Sequence, residues 1–147
     1  MITPLSTASD RPVASCLLHH VGIVARDDAQ IAEFAAGLGL HEVRREYLAA
    51  HRVTNVFLSG GPGAAVQFML PDGGVLANYN RGRGGLHHLA FTAPDVEAMQ
   101  QGLAARGLRF ITPTLQPGIG RFRFNFVLPS LAGINVEIIE DPDVEWP

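Results

Sequence analysis

The chain has 147 residues and a formal net charge of −3, with 47% hydrophobic and 17% charged residues. This composition is typical of a folded globular protein, and its slightly acidic balance argues against a general nucleic-acid-binding surface. All of the positive charge is arginine, because the sequence contains no lysine, and this excludes Schiff-base chemistry through a lysine side chain.

The first 16 residues are expected to form an N-terminal tail ahead of a single domain that spans residues 17–147. This segment lacks the apolar core of a signal peptide, and no stretch of the chain reaches the roughly 18 apolar residues that cross a bilayer. Cys16 is the only cysteine, so no intrachain disulfide can form. We therefore expect a cytoplasmic protein that binds neither a membrane nor nucleic acid.

An internal repeat organises the rest of the chain. Residues 18–43 and 86–111 align without a gap at an offset of 68, so that Leu-His-His occurs at the start of both segments. A weaker similarity relates VQFML at 66–70 to VEIIE at 136–140. A repeat of this length predicts two similar units, module one over 17–70 and module two over 86–140, with a linker over 71–85.

Taken in chain order, each module is predicted to be βαβββ. In module one the apolar patterns predict a strand over 17–25, then a helix that begins at Asp27 or Asp28 and ends at Gly39. Three strands follow, near 41–48, 52–59 and 64–70. The linker is Gly-rich and predicts a short helical turn over 74–79. In module two the same reasoning predicts a strand over 86–93, a helix over 95–106, and strands near 108–112, 120–128 and 133–140.

Together the elements predict an α+β fold, in which the tandem βαβββ modules form a curved mixed sheet with helices on one face. Side chains alternate along a strand, so His20 and the equivalent His88 should face the concave side. By the same alternation His19 and His87 should point to the other side, away from any shared site.

The last strand of each module carries one polar residue among apolar ones, Gln67 in the first and Glu137 in the second. Burying such a group without a partner costs on the order of 1–3 kcal/mol, which favours a shared ligand. Two imidazoles, a carboxylate and an amide oxygen suit an octahedral divalent ion with two open positions, such as Co, Ni, Mn, Zn or Fe. The curved sheet is thus expected to surround a metal site, and the lack of a cysteine ligand disfavours a closed structural zinc site.

Four motifs carry a resemblance to a known family over residues 17–140: LHHVGI, VQFMLP, GRGGLHHLAF and GIGRFRFNFVLP before the final VEI. They resemble the vicinal oxygen chelate (glyoxalase/bleomycin resistance/dioxygenase) superfamily, and within it they are most similar to methylmalonyl-CoA epimerase-like proteins. The resemblance carries the metal ligands of the family onto His20, Gln67, His88 and Glu137.

The resemblance implies a metal-dependent epimerase or isomerase that acts on a small molecule with vicinal oxygens and forms a homodimer. The cation would stabilise an enediolate while Glu137 removes the proton next to a carbonyl. The epimerases have a second base, a glutamate, on the third strand of the first module, where this chain has Asn55, which cannot take a proton. Other acids or bases to consider are Tyr47, Glu46 and His51.

Three residues are expected to bind substrate: Asn55, and Arg123 with Asn125 on the concave face, where the arginine would meet a carboxylate or phosphate. Other activities stay open, namely a glyoxalase I-type lyase or thiol transferase, a ligand-sequestering resistance protein, and an extradiol dioxygenase. Resistance proteins of this superfamily typically lack the metal ligands, and the dioxygenases use two His and one Glu around iron, without a fourth ligand at Gln67.

Overall fold

A computed structural model of the protein describes residues 16–140. Residues 1–15 and 141–147 fall outside this range, and the expected N-terminal tail lies almost wholly among them. No helix within the described range is long and apolar enough to cross a membrane.

Module one has the predicted βαβββ order, whereas module two has one additional short strand, β7 (Gln116–Pro117), that the sequence did not predict. Module one consists of β1 (Leu17–Val24), α1 (Asp28–Leu38), β2 (His41–Leu48), β3 (Val53–Ser59) and β4 (Ala65–Pro71), with a 3-10 turn at Ala49–His51. The linker carries α2 (Gly74–Ala77) and a second 3-10 turn, Tyr79–Gly82. Module two consists of β5 (Gly85–Thr92), α3 (Val96–Ala105), β6 (Arg109–Phe110), β7 (Gln116–Pro117), β8 (Arg123–Leu128) and β9 (Val136–Glu140).

The helix ends follow the capping residues in the sequence. The side chain of Asp27 accepts a hydrogen bond from the backbone N–H of Gln30, which confirms Asp27 as the N-cap of α1. Asp95 caps α3 in the same way through Ala98. Gly39 ends α1 at a φ of 67°, in the left-handed region that glycine adopts without steric cost.

Within residues 16–140, nine strands form one curved, unclosed mixed sheet in the order β2-β3-β4-β1-β5-β9-β8-β6, with β7 paired to β8. At its centre β1 and β5 pair antiparallel, and each is flanked on its other side by a parallel strand of its own module, β4 or β9. The predicted fold class is therefore confirmed. The curvature brings β2, at one end of this order, to the loop before β8, where the Glu46 carboxylate accepts from the N–H of Gly120.

Helices α1 and α3 cover the outer, convex face of the sheet. Ile31 of α1 packs on buried residues of β3 and β4 that include Val56 and Phe68. In module two, Val96 and Leu103 of α3 pack on β6, β8 and β9. The two helices thus bury the convex face of the sheet, and the concave face is left free to form a binding site.

Module two departs from the sequence prediction in three strands. The strand predicted over 108–112 is reduced to β6 (Arg109–Phe110), β8 starts at Arg123 rather than at 120, and β9 starts at Val136 rather than at 133. The side chain of Asn125 explains the first difference, because its oxygen accepts from the N–H of Thr112 and its amide nitrogen donates to the Thr112 carbonyl. The Asn125 side chain thereby forms hydrogen bonds with the backbone groups of Thr112 that would otherwise pair with the neighbouring strand.

Candidate metal centre

The four candidate ligands lie on four strands that are neighbours in the sheet: Gln67 on β4, His20 on β1, His88 on β5 and Glu137 on β9. Gly22 of β1 stands between them, opposite Gln67 on one side and opposite His88 on the other. The parallel pairing within each module and the antiparallel pairing of β1 with β5 thus bring distant parts of the chain to one point of the concave face.

Three ligand atoms converge there. His20 Nε2 lies 3.1 Å from His88 Nε2, and Glu137 Oε2 lies 2.7 Å from His88 Nε2 and 3.6 Å from His20 Nε2. All three residues are buried, with exposed fractions of 0% for His20, 2% for His88 and 5% for Glu137. These residues form a group that could hold a metal ion.

The spacing of these atoms fits one ion. Adjacent positions of an octahedral ion with bonds of about 2.1 Å lie about 3.0 Å apart, and the three measured separations bracket that distance. A nitrogen and carboxylate set without thiolate is also the chemistry that mid-row divalent metals take. The residues present therefore fit the divalent cation that the sequence predicts.

Gln67 supplies a further donor of the right kind. Its amide nitrogen donates to the Asn55 side-chain oxygen at 2.8 Å, whereas its amide oxygen is buried without a hydrogen-bond partner. An unpaired buried carbonyl oxygen is costly unless something binds it. Asn55 therefore orients the Gln67 amide, and the amide oxygen is left available to a ligand.

The protonation of the cluster follows from burial and from mutual charge. Burial raises the pKa of Glu137, but the charge of His88 and hydrogen bonds from both imidazoles outweigh it and hold that pKa well below its usual value. Burial lowers the pKa of His20, against the opposing effect of Glu137. Metals bind the ionised carboxylate and the neutral imidazole, so both pKa shifts favour the metal-binding forms of Glu137 and His20.

Gly22 makes room for the His88 ring. A Cβ at this position would lie 2.1 Å from His88 Cε1 and within 2.5 Å of both ring nitrogens. No side chain larger than hydrogen fits while the ring keeps this place. The glycine in the middle of an apolar strand is thus part of the site.

A cavity of about 570 Å³ opens in front of the cluster, and His88, Glu137, Gln67 and Asn55 line it. The rest of the wall is largely apolar and aromatic, with Phe122, Phe124, Phe126, Ile119, Met69 and Leu48 among its residues. Of the expected substrate-binding residues, Asn55 is therefore at the site. His51 also borders the cavity. Glu46 and Tyr47 do not line it: Glu46 pairs with Arg44, and the Tyr47 hydroxyl donates a hydrogen bond to Asp72.

The structure does not bring Arg123 and Asn125 into this cavity, contrary to the sequence expectation. Phe126 is the partner of Glu137 across β8 and β9, so the alternate residues Phe124 and Phe126 face the site. Arg123 is instead exposed and paired with Glu140. Asn125 is buried on the other face, where it holds the loop after β6 through Thr112 and Thr114.

Sequence reasoning also misplaced His19 and His87. It put both on the face away from the site, yet each has its Nδ1 within hydrogen-bond distance of the Nδ1 of the following histidine, at 2.8 Å and 2.9 Å. His87 also lines the cavity, and burial together with the charge of His88 lowers its pKa to about 4. The repeated His-His dipeptide could have pointed to these two residues. The alternation of side chains along a regular strand, however, cannot show that two consecutive histidines lie on the same face of the sheet.

Comparison with solved structures gives close overall likeness at low identity. Methylmalonyl-CoA epimerase from Mycobacterium tuberculosis is 28% identical with a TM-score of 0.79, over 91% of this chain and 95% of that one. A methylmalonyl-CoA epimerase in complex with methylmalonyl-CoA and NH4+ is 25% identical with a TM-score of 0.77, over 91% and 100%. A variant of the Streptomyces coelicolor enzyme with 2-nitronate-propionyl-CoA is 26% identical with a TM-score of 0.77, over 91% and 100%.

No curated protein sequence matches the chain. The sequence profile of one family does, over residues 19–126, which is well over half of the chain. This match runs from within β1 to within β8 and includes three of the four candidate ligands. The chain belongs to the Glyoxalase/Bleomycin resistance protein/Dioxygenase superfamily.

Proposed function

We propose that this chain is a metal-dependent epimerase or isomerase that removes a proton next to a carbonyl, working as a single domain over residues 17–147. The observation that carries the proposal is the convergence of two buried imidazoles and a carboxylate. The buried amide oxygen of Gln67, on a residue that lines the same cavity, has no hydrogen-bond partner and adds a fourth donor. His20, Gln67, His88 and Glu137 are the proposed ligands. When bound, a divalent cation supplies Lewis-acid stabilisation of the negative charge that develops as the proton leaves.

Glu137 is the proposed base. Its carboxylate borders the cavity, and its lowered pKa keeps it ionised at neutral pH, in the form that accepts a proton. A low pKa also makes it a weak base, so charge stabilisation at the substrate oxygens has to contribute most of the rate.

The cavity favours an acyl group as the reacting part of the substrate. Its wall is apolar and aromatic beyond the cluster, and Arg52 is the one lysine or arginine among the residues that line it. The guanidinium of Arg52 is already bonded to Asp72. Since the similar solved structures hold methylmalonyl-CoA and 2-nitronate-propionyl-CoA, an acyl thioester is the substrate class we propose first.

Among the described residues that line the cavity, Glu137 is the only carboxylate, so none of them offers a second carboxylate base for the opposite face of the substrate. Asn55 lines the cavity, but its amide cannot take a proton, and its oxygen is used by Gln67. Of Tyr47, Glu46 and His51, only His51 lines the cavity. We therefore expect proton exchange through Glu137 on one face, with His51 or water responsible for any exchange on the other.

The test is washout of the α-proton of 2-methyl-branched acyl thioesters in deuterium oxide, followed by NMR. Glu137→Gln should abolish the exchange even where some metal stays bound through the new amide. Glu140→Gln is the matched control, because it changes a glutamate on the same strand that pairs with Arg123 outside the cavity. Asn55→Glu should add exchange on the opposite face.

Exchange at the wild-type rate in Glu137→Gln would show that the base is elsewhere. Absence of exchange by the metal-loaded wild type on every acyl thioester tried would refute the proposed substrate class.

A further inference from the structure

Two β-bulges occur at equivalent places of the repeat. In β1, Leu18 and His20 pair with the consecutive residues Phe91 and Ala90, so His19 is the extra residue. In β5, Leu86 and His88 pair with the consecutive residues Ile23 and Gly22, so His87 is the extra residue. A bulge inserts one unpaired residue and re-aims its side chain, and bulges are frequent beside functional sites.

Each bulged histidine is bonded to the histidine that follows it. The Nδ1 atoms lie 2.8 Å apart in His19 and His20, and 2.9 Å apart in His87 and His88. Both pairs of rings meet edge to face, with centroids 5.1 Å apart. The two dipeptides thus have one geometry, although the packing around them differs.

A hydrogen bond between two Nδ1 atoms needs a proton on one of them and a lone pair on the other. The Nε2 atoms of His20 and His88 face each other and Glu137, so these are the nitrogens with which they would bind an ion. A neutral imidazole that binds through Nε2 carries its proton on Nδ1. His20 and His88 then donate, and the bulged histidines accept through Nδ1.

We propose that His19 and His87 are positioning residues, which hold the rings of His20 and His88 in the Nδ1–H tautomer and aim both Nε2 lone pairs at the metal. This inference rests on the metal site of the proposed function. The partners of metal-bound histidines are usually a carboxylate, a carbonyl or water, and here a second imidazole takes that place twice.

The surroundings of His87 show that the pair is held in place. Its ring meets the Tyr79 ring edge to face at 4.8 Å, and its backbone carbonyl accepts from the Asn135 side chain at 3.0 Å. Phe126 contacts the rings of both His87 and His88. The acceptor nitrogen therefore has little freedom to leave the Nδ1–H of His88.

The experiment compares two substitutions at each bulge. His19→Phe and His87→Phe keep an aromatic ring and remove the acceptor. In His19→Asn and His87→Asn the amide oxygen is bonded directly to Cγ, as Nδ1 is in histidine, so an acceptor is kept at nearly the same place. His41→Phe, on the exposed surface of β2, is the control. Each protein is stripped with a chelator and titrated with Co²⁺, and the Kd and the visible d–d absorption are recorded without any substrate.

The Phe variants should bind Co²⁺ roughly 10- to 100-fold more weakly, with a shifted absorption spectrum, as is typical when a partner of a metal-bound histidine is lost. The Asn variants should regain most of the affinity and the wild-type spectrum, and His41→Phe should match the wild type. Phe variants with the wild-type Kd and spectrum would refute the positioning role while leaving the metal site intact. Asn variants as weak as the Phe variants would refute it too, because restoring a hydrogen-bond acceptor would then not restore metal binding.

A measurement on the unmodified protein covers the case in which a Phe variant does not fold. In ¹⁵N-labelled, Zn²⁺-loaded protein, NMR should show protonated Nδ1 atoms on His20 and His88, with scalar coupling across each N–H···N bond. Protonated Nε2 atoms on those residues would overturn the proposal. Wild-type protein that binds neither Co²⁺ nor Zn²⁺ would overturn both this inference and the metal site.

Discussion

Gly22→Ala offers the most direct test of how tightly the site is built. The new Cβ would lie 2.1 Å from His88 Cε1, whereas carbon atoms in contact keep about 3.5 Å, so the ring would have to move by about 1.4 Å. The ring has little room to do so, because His20, His87 and Phe126 surround it and Glu137 is bonded to it at 2.7 Å.

The expected cost follows from that displacement. A shift of about 1 Å in a catalytic group costs on the order of 100-fold in rate, and the same factor in metal affinity corresponds to about 3 kcal/mol. Overpacking a filled region costs a further ~1–3 kcal/mol of unfolding free energy. Gly22→Ala should thus weaken Co²⁺ binding by about two orders of magnitude and lower the Tm of the metal-free protein.

Isothermal titration with Co²⁺ and thermal unfolding of the stripped protein measure the two effects. Gly37→Ala is the matched control, because Gly37 lies in α1 and a Cβ there would have no neighbour within 4 Å. Alanine in place of an exposed helical glycine should raise the unfolding free energy by up to about 1 kcal/mol and leave metal binding unchanged. If Gly22→Ala bound Co²⁺ as tightly as the wild type, the position of the His88 ring and the ligand role built on it would be wrong.

Other predictions concern the ligands, pH and assembly. His20→Ala and His88→Ala should each lose stoichiometric metal while circular dichroism still shows a folded chain, and metal retained by both would place the ion elsewhere. Burial lowers the pKa of His87 to about 4, so below about pH 6.5 the unfolded chain takes up a proton that the folded chain does not. The Tm of metal-free protein should therefore fall as the pH is lowered from about 6.5 to about 4, and an equal fall in His87→Phe would contradict this cause. The protein should form a homodimer with twice the 15.8 kDa mass of one chain. Light scattering at micromolar concentration measures this mass, and a result showing only monomer would contradict the prediction.

The internal repeat is enough to predict much of the fold from the sequence. Helix caps such as Asp27 and Gly39 act within one turn, so their effects depend on neighbours in the chain. Alternation depends only on the pleat of a single strand, and it correctly put His20 and Val24 on one face of β1 and Ile23 under α1. The equivalence of the two modules then singled out the four candidate ligands without knowledge of how the strands pair.

What the sequence determined by itself, then, is the set of elements and the face on which each regular strand presents its side chains. Only the tertiary structure decided which of those faces meet. Arg123 and Asn125 were assigned to the wrong side because the face of β8 is set by its register with β9, where Phe126 lies opposite Glu137. His19 and His87 were misplaced because a bulge exists only relative to the strand it pairs with. Register and bulges arise from backbone hydrogen bonds between segments far apart in the chain, and a shift of one residue moves a side chain to the other face of the sheet.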